Sequence, residues 1–502
     1  MKTLTCARRL LIFAVTAALA ACSLEPTYHR PASGIGSAWP TGAAYSAAHP
    51  KPADQVPAAD IGWQEFFTDP QLRELVDIAL KNNRNLRIAA LNVEKSQAQY
   101  RIQRGGLFPS INANGSETAQ HVPSGILGSS GVGSGSGGTF RTFAAGLGFT
   151  SYEIDFFGRI RSLDHEALQQ YLSQIEARKS TQISLVAEVA NDYLSYLSDR
   201  GLLKLAQDTY TNQQAAYALT KKSFEAGVDT ALDVSQAQQA VDTAQADISK
   251  FTRLVAQDRN ALHLVLGAPL PADLTKAAGL SSEHFLEALP AGLPSDLLDR
   301  RPDILAAEHQ LMAANANIGA ARAAFFPSIS LTGSFGTASS QLSGLFASGS
   351  EQWTFAPTIT LPIFAGGTNV ANLDLAKVEK NIFVAQYQQT IQTAFREVAD
   401  ALAARGTLDQ QITAEQRLTK ATQTSYDLSR MRFKHGVDNY LTVLDSQRSW
   451  YQAQQSLIST RLTRLQNLVT FYKALGGGWN APTVATAAAQ KAVTEAPRRG
   501  GD

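Results

Sequence analysis

Within this 502-residue chain, one residue is set in a motif for covalent chemistry: Cys22. It ends the run Leu19-Ala20-Ala21-Cys22, which follows a basic stretch (Lys2, Arg8, Arg9) and the short apolar segment Leu10 to Ala21. A small residue before a Cys at the end of such a segment is the lipobox pattern, which implies cleavage before Cys22 and acylation of its thiol. The apolar run is too short to span a bilayer as a mature helix. The competing reading is an ordinary signal peptide cut near Ala21, with Cys22 incidental. Ser23, where an Asp would suggest retention at the inner membrane, points to outer-membrane sorting. No G-x-S-x-G, H-E-x-x-H or P-loop string occurs, and the eight His residues (29, 49, 121, 165, 263, 284, 309, 435 by position) have no ligand spacing. Cys6 leaves with the signal, so no disulfide and no Cys-based metal site is possible within the mature chain. We therefore expect no enzyme, no metal and no cofactor apart from a covalent lipid on Cys22. Losing Lys2, Arg8 and Arg9 takes the formal charge from +1 to −2, which gives no reason to expect nucleic acid.

Leu441 and Asp445 lie at i, i+4 and share one helix face. On the residues alone, Leu441 reads as coiled-coil packing and Asp445 as a solvated face. What such a pair does depends on the elements that carry it.

Those elements occur twice. Phe108-Pro109-Ser110-Ile111 recurs as Phe326-Pro327-Ser328-Ile329, 218 residues on, and Arg104 meets Arg322 at the same shift. Glu188-Val189-Ala190 recurs as Glu397-Val398-Ala399, 209 residues on; there Gly227-Val228-Asp229 meets Gly436-Val437-Asp438 and Leu266-Gly267 meets Leu475-Gly476. The matches keep their order, so the chain is a duplicated unit. The change of shift falls around the Gly/Ser-rich run 123–139, a longer loop in the first copy.

The division expected is a signal peptide (1–21), an extended leader from the lipid anchor (22–62), a first repeat (63–266), an inter-repeat segment (267–294), a second repeat (295–479) and a disordered tail (480–502). Each repeat reads helix, helix, hairpin, very long helix, long helix. Helices are expected over 70–81 and 85–104, and hairpins over about 109–157 and 327–364. In the second hairpin Ile329, Leu331, Gly333 and Phe335 alternate with Ser330, Thr332 and Ser334. Phe355, Ile359, Leu361 and Ile363 alternate with Thr354, Ala356, Thr358 and Thr360 on the return. Strands of roughly ten residues cross a bilayer when tilted, with apolar side chains to lipid and Ser/Thr to a lumen. From Arg159 to Ala226 there is no Pro and one Gly, and likewise from Asn369 to His435. Helices that long need partners along their length. Gly227-Val228-Asp229 and Gly436-Val437-Asp438 turn the chain back, the Gly as stop and the Asp as cap of returning helices over about 230–266 and 439–475. Two hairpins supply four strands, which cannot close a barrel, and an open edge in lipid is forbidden. Three chains would supply twelve.

These strings resemble the TolC-like outer-membrane efflux channels, in the lipidated OprM-type branch, over roughly 22–479. The resemblance rests on Cys22-Ser23-Leu24 with Pro26 and Tyr28, on Tyr152-Glu153-Ile154-Asp155-Phe156-Phe157-Gly158-Arg159, on Gly436-Val437-Asp438-Asn439-Tyr440-Leu441-Thr442-Val443-Leu444-Asp445-Ser446-Gln447-Arg448, and on Lys473-Ala474-Leu475-Gly476-Gly477-Gly478-Trp479. It implies a mixed α and β fold: a homotrimeric β-barrel in the outer membrane, four strands per chain, continued by an α-helical barrel in the periplasm. It also implies a periplasmic adaptor docking at the tip turns (Gly227, Val228, Asp229, Gly436, Val437, Asp438) and an inner-membrane pump, usually of the resistance-nodulation-division type. Residues 267–293, the leader and the segment near Trp479 would form a belt around the helical tube.

By the same resemblance Leu441 and Asp445 fall at the periplasmic constriction. In a trimer they become a ring of three Leu, a dry plug, beside a ring of three carboxylates that sets cation preference. Asn439 and Arg432 would hydrogen-bond between neighbouring helices and hold the closed state. The first copy has Leu232 opposite Leu441 but Gln236 opposite Asp445, so one repeat alone contributes the charge. The function this implies is a passive, gated exit duct for drugs or other small molecules. Two alternatives remain at this point: the exit channel of a type I protein secretion system, and a non-conducting coiled-coil envelope lipoprotein.

Overall fold

The computed structural model describes residues 23–45, 57–123, 138–272, 274, 279–280, 285–286, 289–290, 292 and 294–482. The signal segment, Cys22, parts of the inter-repeat segment and residues 483–502 lie outside the described residues. The elements are α1 (Pro70–Asn82), α2 (Arg84–Gly105), β1 (Asn112–Val122), β2 (Gly138–Ile154), α3 (Arg159–Glu225), α4 (Ala231–Leu266), α5 (Pro302–Ala323), β3 (Ser328–Ser339), β4 (Glu351–Thr360), α6 (Thr368–Lys434) and α7 (Tyr440–Ala474). The chain divides into two compact units: 1–31, 94–173 and 308–386 form one; 32–93, 174–307 and 387–502 form the other.

The first unit holds the four strands in one antiparallel sheet, ordered β1-β2-β3-β4. Register pairs Leu147 with Phe335 and Phe335 with Trp353, so one face collects Leu147, Phe335, Trp353, Phe355 and Ile359. The other face carries Ser330, Thr332, Ser334, Thr354 and Thr358. The apolar face is open, with Trp353 73% and Ile359 70% exposed. β4 ends at Thr360, so Leu361 and Ile363 continue the expected alternation in sequence but not in the sheet. Two strands away, β2 is longer than expected, with 17 residues and a bulge between Phe149 and Tyr152 that puts Ser151 at φ 54°. The passage from β2 into α3 is built by the Tyr152–Arg159 string. Glu153 takes two hydrogen bonds from Arg159, and Asp155 caps the helix by accepting from the backbone N–H of Ile160 (3.1 Å) and Arg161 (2.9 Å).

The leader docks in the same unit. Leu24 O accepts from Arg322 Nη1 (3.1 Å), Pro26 O from Asn315 Nδ2 (2.7 Å), and Glu308 takes Arg30 through Nε and Nη2, both at 2.8 Å. Close approach needs Gly319 on α5, where a Cβ would stand 2.6 Å from Ser162 Oγ and 2.9 Å from Glu25 Cα. Gly319→Val is expected to lift the leader and to cost about 2 kcal/mol or more, read as a lower unfolding midpoint and as faster proteolysis of residues 23–31.

In the second unit the helices pack by a 3.5-residue period. Tyr387, Ile391, Ala394, Val398 and Ala401 form a buried seam of α6, spaced 4, 3, 4 and 3. Phe66 stacks on Tyr472 at 3.9 Å, and Tyr472 Oη donates to Ile61 O at 2.5 Å. The structured chain extends past Trp479, because Asn480 O and Ala481 O accept from the N–H of Trp63 and Gln64. The start of the expected tail is thus occupied in pairing.

One contact recurs at the same place in both copies. Asn83 Nδ2 donates to Val265 O at 2.8 Å, and Arg301 Nη1 to Ala474 O at 2.9 Å. These are the positions related by the two sequence shifts, and Gly267 (φ 63°) and Gly476 (φ 86°) follow in the left-handed region in each case.

Candidate functional site

Both expected turns form. Gly227 (φ 77°) and Gly436 (φ 71°) take the left-handed conformation that lets a helix end and reverse. The N–H of Val228 bonds Ser223 O and that of Val437 bonds Arg432 O, both at 2.9 Å, closing the last helical carbonyls. Val228 and Val437 then project, 77% and 60% exposed.

The caps differ from expectation. Asp229 and Asp438 do not start the returning helices. Thr230 caps α4 in a reciprocal box with Asp233, and Asn439 caps α7 by accepting from Thr442 N (3.2 Å) and Oγ1 (2.9 Å). One residue separates the two options, and Asp, Thr and Asn are all good caps, so composition alone cannot choose. Asp438 is thereby released to accept from Arg432 Nε (2.6 Å) and Nη2 (3.0 Å) across the turn. That guanidinium hydrogen bond holds the Asp438 carboxyl below its ordinary range. The position matching Arg432 in the first copy is Ser223, so this clamp closes only the second turn. Within the protomer, then, Arg432 and Asn439 spend their polar groups on their own turn.

Leu441 and Asp445 share the exposed face of α7, with Arg448 Nη1 3.6 Å from Asp445 Oδ1. Both charged side chains are more than half exposed, so the pair stabilises little by itself. Behind that face Tyr440, Val443 and Leu444 pack on Ala237 of α4, with Tyr217, Tyr426 and Phe433 around them. The apolar bed fixes the direction of the Leu441/Asp445 stripe. Burial pushes the Tyr440 hydroxyl up to about 12.

Sequence reading missed a carboxylate cluster between α3 and α4. Asp199 and Asp258 share a hydrogen bond, and burial followed by mutual repulsion pushes Asp258 up. Burial, then Glu188, pushes Asp192 up to about 6 from an ordinary 3.8. A raised carboxyl keeps in the native state a proton that the unfolded chain has released. Stability is therefore expected to fall as pH rises from about 4 through about 7. The unfolding midpoint should be higher at acid pH than at alkaline pH, Asp192→Asn should reduce that difference, and Asp192→Asn with Asp258→Asn should flatten it; a double variant with an unchanged profile would remove the cluster from the account.

A sheet with one apolar and one hydroxyl face, carried by a chain with two pairs of long antiparallel helices, defines a class of outer-membrane channel. The chain belongs to the outer membrane efflux protein family, whose model matches residues 75–268 and 293–477. It is 50% identical over 494 residues to the toluene efflux pump outer membrane protein TtgC of Pseudomonas putida, covering 98% of this chain and 99% of that protein. It is 45% identical to the outer membrane protein OprJ of Pseudomonas aeruginosa, over 94% and 95% of the two chains. In three dimensions it is similar to the MtrE outer membrane channel of Neisseria gonorrhoeae solved in its open state, with a TM-score of 0.82, 40% identity and coverage of 92% and 100%.

Proposed function

We propose that three copies of this chain close the four-stranded sheet into a twelve-stranded barrel and the long helices into a tube. The assembly is a passive exit duct of a tripartite efflux system, anchored by lipid on Cys22. The observation that carries the reading is the sheet itself. Among the described residues β1 and β4 each pair on one side only, and the apolar face of the sheet has no cover in the protomer. In hydrocarbon every backbone group needs a partner, so such a sheet requires further copies. Leu375, Val378 and Ile382, spaced 3 and 4 along α6 and at least half exposed, are a second apolar stripe that another copy would cover.

In this assembly Leu441 forms the seal at the periplasmic end and Asp445 the charged ring beside it. The exposed turns receive the periplasmic adaptor, which passes on material from an inner-membrane pump, of the resistance-nodulation-division type by family analogy. Only a partner that binds the open state better can shift the gate toward it. The names of the relatives favour efflux of toluene-like solvents and antibiotics over protein secretion. The test uses the tips. Val228→Asp and Val437→Asp together place charge where an apolar contact is required and should weaken adaptor capture about tenfold or more, leaving trimer mass unchanged. Capture equal to wild type would take the tips out of the docking surface.

A further inference from the structure

The sheet is two copies of one hairpin, so the joint between them, β2 on β3, is a template for its two open edges. Asn112 pairs with Gly148 in the first hairpin, and the equivalent Ser330 pairs with Thr358 in the second. β1 thus recurs as β3 at the shift of 218, and the body of β2 recurs as β4 at a shift of 210. Past the bulge in β2 that shift drops to the 209 that separates Arg159 and Thr368, the starts of α3 and α6. At the joint Phe149 pairs with Gly333 before the bulge, and Tyr152 with Leu331 after it. The same shifts carry β2 onto β4 and β3 onto β1, and turn these pairs into Ile359 with Gly115 and Leu361 with Ala113. Both belong to a single register.

We propose that β4 of one copy of this chain pairs antiparallel with β1 of the next in that register; the seam rests on the trimer proposed above. Two features that did not enter the derivation agree with it. On the apolar face large residues of β4 meet small ones of β1: Ile359 faces Gly115, Phe355 faces Ala119 and Leu361 faces Ala113. On the other face Thr358 meets Ser116 and Thr354 meets Gln120, whereas a slip of one residue would set hydroxyl against apolar side chains along the whole seam. The phase of the edge also follows. Ala338 N–H donates to Ser350 O at 2.8 Å, so even-numbered residues of β4 turn their backbone groups to β3 and odd-numbered ones turn theirs to the open edge. Ile359 and Gly115 therefore exchange backbone bonds across the seam. Thr358 and Ser116 fall at a non-hydrogen-bonded position, where opposite side chains stand closest. Pro357 faces Glu117 and, lacking an N–H, leaves one bond of this ladder unmade.

Within one chain Thr358 and Ser116 lie on opposite edges of the four-stranded sheet, three strand spacings or about 14 Å apart, so a disulfide between these positions joins two copies. The full-length protein carrying Thr358→Cys and Ser116→Cys, purified in detergent and oxidised with copper phenanthroline, is expected to run as a covalent trimer on a non-reducing gel and as single chains after reduction. Neither single variant should link. Thr354→Cys with Gln120→Cys tests the same register a turn of the pleat further on, and serves if the first pair does not fold. Displaced pairs, Thr358→Cys with Asn114→Cys or with Thr118→Cys, set the Cβ atoms about 7–8 Å apart and should link at least about tenfold more slowly. A displaced pair that links as fast as Thr358→Cys with Ser116→Cys would overturn the register. No linkage by any pair, in samples whose mass by light scattering is that of a trimer, would overturn the seam and leave the trimer standing; a monomeric mass for the wild-type protein would overturn both.

Discussion

Replacing Leu441 by Ala is expected to raise the open probability of the channel in planar bilayers about 100-fold. The Leu441 side chain is 42% exposed in the protomer, on a face whose back is fixed by Tyr440, Val443 and Leu444. In the proposed trimer, burial of that remaining surface against two other copies would contribute about 1 kcal/mol per chain to the closed state. Three chains would then contribute about 3 kcal/mol, and each 1.4 kcal/mol is tenfold in the equilibrium. The effect should be on open probability, with little change in trimer mass or unfolding midpoint. Asp445→Asn should act differently, lowering cation preference with a smaller effect on opening, because its side chain is solvated rather than packed. The matching change in the first copy, Leu232→Ala, tests the asymmetry: Leu232 is 64% exposed and has Gln236, not a carboxylate, one turn on. If Leu441→Ala and Asp445→Asn leave both conductance and selectivity at wild-type values, the gate is elsewhere.

The second large effect concerns Arg301. Its side chain is 8% exposed and is held by Asp303 through Nε and Nη2 at 3.0 and 2.7 Å, by Glu397 through Nη1 at 2.9 Å, and by Ala474 O. It thereby ties the start of α5 to the middle of α6 and the end of α7. Burial alone would lower its pKa; the carboxylates of Asp303 and Glu397 reverse that and hold it charged. Arg301→Ala leaves a helix-end carbonyl without its donor and two carboxylates without their cation, and is expected to cost about 3 kcal/mol. Arg301→Met keeps the volume of the stem and should recover part of that loss. Asn83→Ala, at the corresponding place in the first copy, removes a neutral hydrogen bond and should cost about 1 kcal/mol. A chemical denaturation series on the three variants checks the order; an Arg301→Ala protein as stable as wild type would remove the residue from the framework.

Much of this architecture was legible in the residues. The two long helices end where Gly227 and Gly436 end them, within a residue of the expected bounds, because nothing earlier in either run breaks a helix. Hydroxyl and apolar residues alternate through β3 and β4, which made the strand period readable. What was hidden depends on distance across the fold. Arg432 and Asp438 meet only once the turn is closed, and the shift of the cap to Asn439 is what frees the Asp. Arg301, Asp258 and Gln213 are ordinary helix or loop residues in sequence, distinguished by burial that arises when separate helices pack. A cap choice or a solvent-excluded amide leaves no periodic trace.

The most direct test of a sealed trimeric duct is single-channel recording of the wild-type protein, on a sample whose mass is fixed by light scattering, beside Leu441→Ala. We predict trimers that are mostly closed, with small cation-favouring currents, and a Leu441→Ala trimer that conducts readily. Trimers that stay silent in both proteins, or a monomer with its sheet intact in detergent, would contradict the account.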